Sequence, residues 1–137
     1  MAQLTYGDQV IGQAGQIADA SNRVIDSFAA EGVIPFGRAV ARGTDKEKQV
    51  IPFLGTGFVG VAVFSHTEVT GQYEDEATVA VITSGRVLVD TLAVSVVAGE
   101  TAYCVDATGV YTNVAADATA VGTWLSSGTG LNVLQLN

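Results

Sequence analysis

The chain has little of what most enzymes and secreted domains rely on. It has one cysteine, Cys104, so no disulfide can form within it. In the alternating context "AYCVD" this cysteine reads as a small buried hydrophobe. It has one histidine, His66. Metal sites built from His and Cys clusters are excluded by that count. A Ser-His-Asp or Cys-His arrangement would have to use His66, which follows Phe64-Ser65 at a strand end, where a solvated histidine needs no special role. Charged residues are only 15% of the chain, and Lys plus Arg number six. No stretch approaches the roughly 20 apolar residues of a membrane helix. The first residues, "MAQLTYGDQVIGQAGQ", lack the basic start and apolar run of a secretory signal. Synthesis in a cytoplasm is expected.

What is present is apolar residues, at 48%, and acid. The 137 residues suit one domain. A chain of this size buries roughly two thirds of its unfolded surface, so no staple is required. The net charge of −8 repels phosphate backbones and argues against nucleic-acid binding. Four of the basic residues, Arg38, Arg42, Lys46 and Lys48, fall close together. That cluster reads as a solvated loop or as a docking patch for an acidic protein surface.

Residues 1–20 hold only scattered apolar anchors, Leu4, Tyr6, Val10, Ile11 and Ile17, with no sustained period. They read as part of an extended arm, 1–32. Within it, 21–31 suits a short helix capped by Ser21 or a strand, and extended structure is favoured because three helical turns are marginal alone. From residue 33 to 137 the pattern is β: β-branched runs of regular spacing, ended by Gly or Asp. Hairpins are predicted about Ser84-Gly85, Thr108-Gly109 and "SSGTG". The fold class expected is all-β: a single-domain barrel or sandwich of short strands with an N-terminal arm. Trp124, Tyr103 and Tyr111 lie in predicted strands and read as core, or as contacts to a neighbouring subunit.

Gly55, Gly57 and Gly60 have the G-x-G-x-x-G spacing of a dinucleotide turn. That turn needs a helix directly after it to hold the pyrophosphate. Here "VAVFSHTEVTG" follows, a poor helix and a good strand. The expectation is a turn at Gly55 and Gly57 and close strand packing at Gly60. Glu74-Asp75-Glu76 lacks the spacing that wraps Ca²⁺ and reads as a solvated turn. Nothing marks a pair of carboxylates for glycoside chemistry. No catalytic, cofactor-binding or metal-binding residue is assigned, and no cofactor is expected.

The order of "GQAGQIADASNRVIDSFAAEGVIPFGRAVARGTD", "GFVGVAVF", "GQYEDEATVAVITSGRVLVDT", "LAVSVVAGETAYCVDATGVYT" and "ATAVGTWLSSGTGLNVLQLN" resembles the structural cement, or capsid decoration, proteins of tailed bacteriophages. The likeness covers nearly the whole chain. It is one of glycine and β patterns, with Gly57-Phe58 standing where a "GIA"-like step is more usual. The resemblance implies a non-enzymatic protein on the outer surface of a virion capsid. Its partner would be the major capsid protein, and it would act as a homo-oligomer, with a trimer favoured over a dimer. No role at nucleic acid or membrane is implied. The capsid or oligomer contacts expected are Leu4, Tyr6, Val10, Ile11, Ile17, Ile34, Phe36, Arg38 and Arg42. The alternative is a phage or bacterial surface β-domain that binds a glycan or a host protein. A small β-barrel enzyme is the third reading.

Overall fold

A computed structural model of the chain describes residues 14–65, 71–92 and 94–136. Among them there is no helix. The strands are β1 (Ile17–Ala30), β2 (Ile34–Pro35), β3 (Ala39–Arg42), β4 (Gln49–Pro52), β5 (Phe58–Ala62), β6 (Gln72–Tyr73), β7 (Thr78–Asp90), β8 (Thr101–Val105), β9 (Tyr111–Thr112), β10 (Ala118–Trp124) and β11 (Leu131–Leu136).

One sheet runs β1-β4-β3-β5-β7-β11-β10-β8-β9 and also pairs β1 with β7. That extra pairing closes β1, β4, β3, β5 and β7 into a barrel. The remaining strands continue from β7 as an outer sheet folded back on the barrel wall. Residues 17–30, placed by the sequence reading in an arm ending at 32, are thus a wall strand. They pair antiparallel with β7 from Ile17↔Val87 to Ala29↔Thr78, and parallel with β4 at Ala29↔Gln49 and Ala30↔Val50.

Two cores result. Phe28, Ala30, Val40, Val50, Ala62, Val79 and Val81 fill the barrel, joined by Ile34 and Tyr73 from the small β2–β6 sheet. Outside the wall, Ala39, Ala41, Phe53, Val61 and Ile82 meet Val87, Val89, Ala102, Cys104, Tyr111, Val121, Trp124, Leu134 and Leu136. The strands between the cores are buried on both faces. This explains why "AVA", "VGVAV" and "TVAVI" are continuous runs of small apolar residues rather than clean alternations. Each buried Val or Leu contributes about 1.5–3 kcal/mol.

Gly60 confirms the expectation of close packing, since a Cβ there would run into the Ile82 carbonyl oxygen. Gly55 and Gly57, both with positive φ, shape the β4–β5 turn, and a strand follows them instead of a helix. The hairpins about Thr108-Gly109 and "SSGTG" form as expected, as β8–β9 and β10–β11.

The hairpin expected at Ser84-Gly85 does not form. Thr78–Asp90 is one strand of 13 residues with a bulge in it. Val79 and Val81 face the barrel while Ala80 and Ile82 face the outer core; beyond the bulge, Val87 and Val89 face the outer core. One extra residue, Thr83, has changed the phase where the register against β1 steps from Ile25↔Ile82 to Val24↔Ser84, just before Gly85 with its φ of 124°. The strand runs on because its two halves have different partners. The first pairs with β1 and β5; the second pairs with β11 from Gly85↔Leu136 to Asp90↔Leu131.

Candidate interaction surfaces

Leu4, Tyr6, Val10, Ile11 and His66 lie outside the described residues. Just before β1 the backbone is pinned. Gly15 N–H donates to Leu88 O at 2.7 Å, Phe64 N–H donates to Gly15 O at 2.9 Å, and Leu88 N–H donates to Gln16 O at 2.8 Å. Ile17 packs at the margin of the outer core. Ile34 is fully buried inside the barrel, so its side chain is packing and not surface. Phe36 is half-buried, with edge-to-face contacts to Phe64 at 5.2 Å and Tyr73 at 5.3 Å.

Arg38, just before β3, and Arg42, at its end, have opposite surroundings. Arg42 is exposed, with its guanidinium 5.6 Å from the Phe28 ring centre and Nη1 donating to Lys46 O at 2.9 Å. It belongs with exposed Lys46 and Lys48 to the β3–β4 turn. That turn is held by Glu31, whose carboxylate accepts from Thr44 N at 2.9 Å and from Thr44 Oγ1 at 2.6 Å. These bonds favour the charged form and lower the Glu31 pKa. Arg38 is half-buried beneath the Thr108-Gly109 turn instead. Its Nη2 donates to Phe53 O at 3.3 Å, and its buried Nε–H has no partner. The clustering of the four basic residues in sequence therefore gives three on one turn and a fourth elsewhere.

Sequence reasoning did not single out two exposed apolar regions. In β1, residues 23–27 are all exposed, with Val24 at 50% and Ile25 at 37%. Among the described residues, β4 pairs with the far edge of β1 only at Ala29 and Ala30. At the end of the outer sheet, Leu92, Val97 and Leu125 are exposed on loops, and Leu131 is exposed at the start of β11. A buried polar knot holds these loops: Asn132 Nδ2 donates to Thr91 Oγ1 at 3.2 Å and to Gly128 O at 3.1 Å, and Thr91 Oγ1 donates to Val94 O at 2.9 Å. Asn113 Nδ2 and Val97 N–H both donate to Glu100, and lower its pKa. Leu92 is held at φ 57°, an uncommon conformation for a leucine. The signal in sequence was the Asn and Ser scattered among apolar residues, which does not specify who bonds whom.

Reactive chemistry is muted. Cys104 is buried as expected, and desolvation pushes its thiol up to about 12. Tyr111 is buried as well; loss of solvent raises its pKa, and its hydroxyl donates to Gly37 O at 2.7 Å. Tyr103 is half-buried in β8, and Trp124 is fully buried. Among the described residues, no group of three His, Cys, Asp or Glu side chains gathers in a way that would hold a metal.

A family model described as structural cement protein (E217 gp24/Pam3 gp6) matches residues 2–137. Among solved structures, a chain from "The capsid of Myoviridae Phage XM1" superposes with a TM-score of 0.77 at 18% identity, over 91% of this chain and 89% of that one. At that identity the likeness is one of fold. No curated protein matches the sequence.

Proposed function

The chain belongs to the structural cement protein family of phages, and from that we propose that it binds the outer surface of the head and holds neighbouring major capsid subunits together. The observation that carries this reading is the family match itself, which spans residues 2–137. A virion protein with a structural role in the capsid follows from it directly. The outer face is favoured by charge, since a net −8 would be repelled by packaged DNA.

The mechanism is linkage. A protein that binds only the assembled lattice stabilises that lattice by mass action. Contacts of about 800 Å² per partner suffice when several subunits are bridged at once, because each later contact gains effective concentration from the first. No bond needs to be made or broken. We assign the arm, through Leu4, Tyr6, Val10 and Ile11, to contact along a neighbouring subunit, and Arg42 with Lys46 and Lys48 to an acidic capsid loop.

The test is co-sedimentation with empty heads. The full chain is expected to pellet with them and to raise the temperature at which they rupture. A chain beginning at Ala14 keeps β1 whole and is expected to fold, by its melting curve, yet stay in the supernatant. Heads that rupture at the same temperature with and without bound chain would refute the cement reading. Full binding by the truncated chain would refute the arm.

A further inference from the structure

Arg38 is an unusual cation. It lines a cleft of about 280 Å³ between the Pro35-Phe36-Gly37 segment and the Thr108–Tyr111 turn, with Leu92 on the far side. Cations in such positions are normally paired, because desolvating a charge is costly. Here one hydrogen bond, to Phe53 O, is all that the described residues supply. Two acids lie nearby, each accepting one hydrogen bond and neither bonded to Arg38. Asp90, on the cleft wall, accepts from Leu92 N–H at 2.8 Å, and Asp106, one residue past β8, accepts from Thr119 Oγ1 at 2.8 Å. The guanidinium is also held in place, since the Gly109 backbone sits so close that a Cβ there would lie 2.7 Å from the guanidinium carbon. A cation held in place with no ion pair among the described residues, in a cleft lined mainly by apolar groups with Asp90 on its wall, is a seat for an anion from outside the chain.

We propose that this cleft seats an acidic side chain of the major capsid subunit, its carboxylate held by the Arg38 guanidinium. The identity of the partner rests on the cement reading above; the carboxylate chemistry does not. Phe36 and Leu92 then pack against the aliphatic part of the incoming residue. A cement protein gains from this arrangement because the cation is compensated only on the assembled lattice, so binding is coupled to assembly.

Two measurements test it. The ¹⁵N-labelled full chain is titrated with N-acetylglutamate methylamide and, separately, with the uncharged glutamine analogue. The Arg38 Nε–H resonance is expected to shift saturably with the acid only, and R38M is expected to lose the response. No acid-selective shift overturns the proposal. With empty heads, R38M is expected to bind at least about tenfold more weakly than the natural chain, the loss of one charge-assisted contact. It should nevertheless melt no lower, since an unpaired half-buried charge has been removed. R38M that binds heads as tightly as the natural chain, or melts well below it, overturns the proposal in favour of a structural arginine. If the natural chain itself fails to pellet with heads while the acid-selective shift persists, the capsid reading fails and the anion site stands.

Discussion

The barrel and the outer sheet share β7 but treat polar groups differently. Among the described residues the barrel core gathers apolar side chains, and the buried Tyr73 hydroxyl donates to Val63 O at 2.6 Å. The outer sheet holds the buried polar residues Thr91, Thr112 and Asn132. Arg38 Nε and Trp124 Nε1, the two buried side-chain donors without a partner among the described residues, also lie on its side. Burying unmatched donors is costly, and in native folds such groups call for an explanation. The barrel is built for stability by simple packing, with its wall strands closed on each other. The outer sheet accepts polar burial in order to hold loops and a cation in defined positions. The unmatched donors thus lie on the outer-sheet side, while both regions contribute packing.

The largest expected effect tests whether the outer core is nonetheless a full stability element. Trp124→Ala empties its largest buried site and should cost about 3–5 kcal/mol by urea denaturation. A loss below about 1 kcal/mol would mean that the outer sheet packs loosely against the barrel. Next in size, Asn132→Ala strips partners from Thr91 and from the Gly128 carbonyl, with an expected cost of about 1–3 kcal/mol. Tyr73→Phe in the barrel loses one bond and should cost about 1 kcal/mol. Equal costs would erase the contrast between the two regions.

A smaller effect is readable from pH. In the folded chain the Cys104 thiol stays neutral up to about 12, against an ordinary value of 9.0. Between those values the unfolded chain has given up a proton that the folded chain keeps. Stability is therefore complete below pH 9.0 and falls as pH rises toward about 12. Cys104→Ala should flatten that slope in pH-dependent melting, leaving the part due to Tyr111. A slope unchanged by the substitution would show that the thiol does not take part. The smallest effect is expected at the exposed stretch of β1, where Val24→Thr should change stability by less than about 0.5 kcal/mol. A larger loss would place Val24 in packing that the isolated chain does not show.

Much of the fold was legible because it depends on local chemistry. The β class follows from β-branched runs, the β8–β9 turn from Thr108-Gly109, and the burial of Cys104 and Trp124 from their alternating neighbours. Ser84-Gly85 was misread because the same residues suit a hairpin or a bulge; the choice lies with the partners of each half of β7, which are distant in sequence. The basic cluster was half legible. Four cations within eleven positions look like one patch, but strand direction and a distant turn separate Arg38 from the others. Ile34 was expected as a capsid or oligomer contact with its neighbours Phe36, Arg38 and Arg42, and only the packing of β2 over the barrel shows it to be core. Around Leu92, Val97, Leu125 and Leu131 the scattered Asn and Ser did not specify the order, because it comes from hydrogen bonds between segments up to 41 positions apart.

The sequence by itself determined that this chain is an all-β, acidic, charge-poor domain with no disulfide and no cluster of histidines or cysteines for a metal, because composition and short-range periodicity act residue by residue. Only the tertiary structure decided that β1 closes a barrel, that β7 changes phase at Thr83, and that Arg38 sits in a cleft with no ion pair among the described residues. Those outcomes depend on which distant strands meet, and pairing between distant strands leaves no mark in the local spacing of residues.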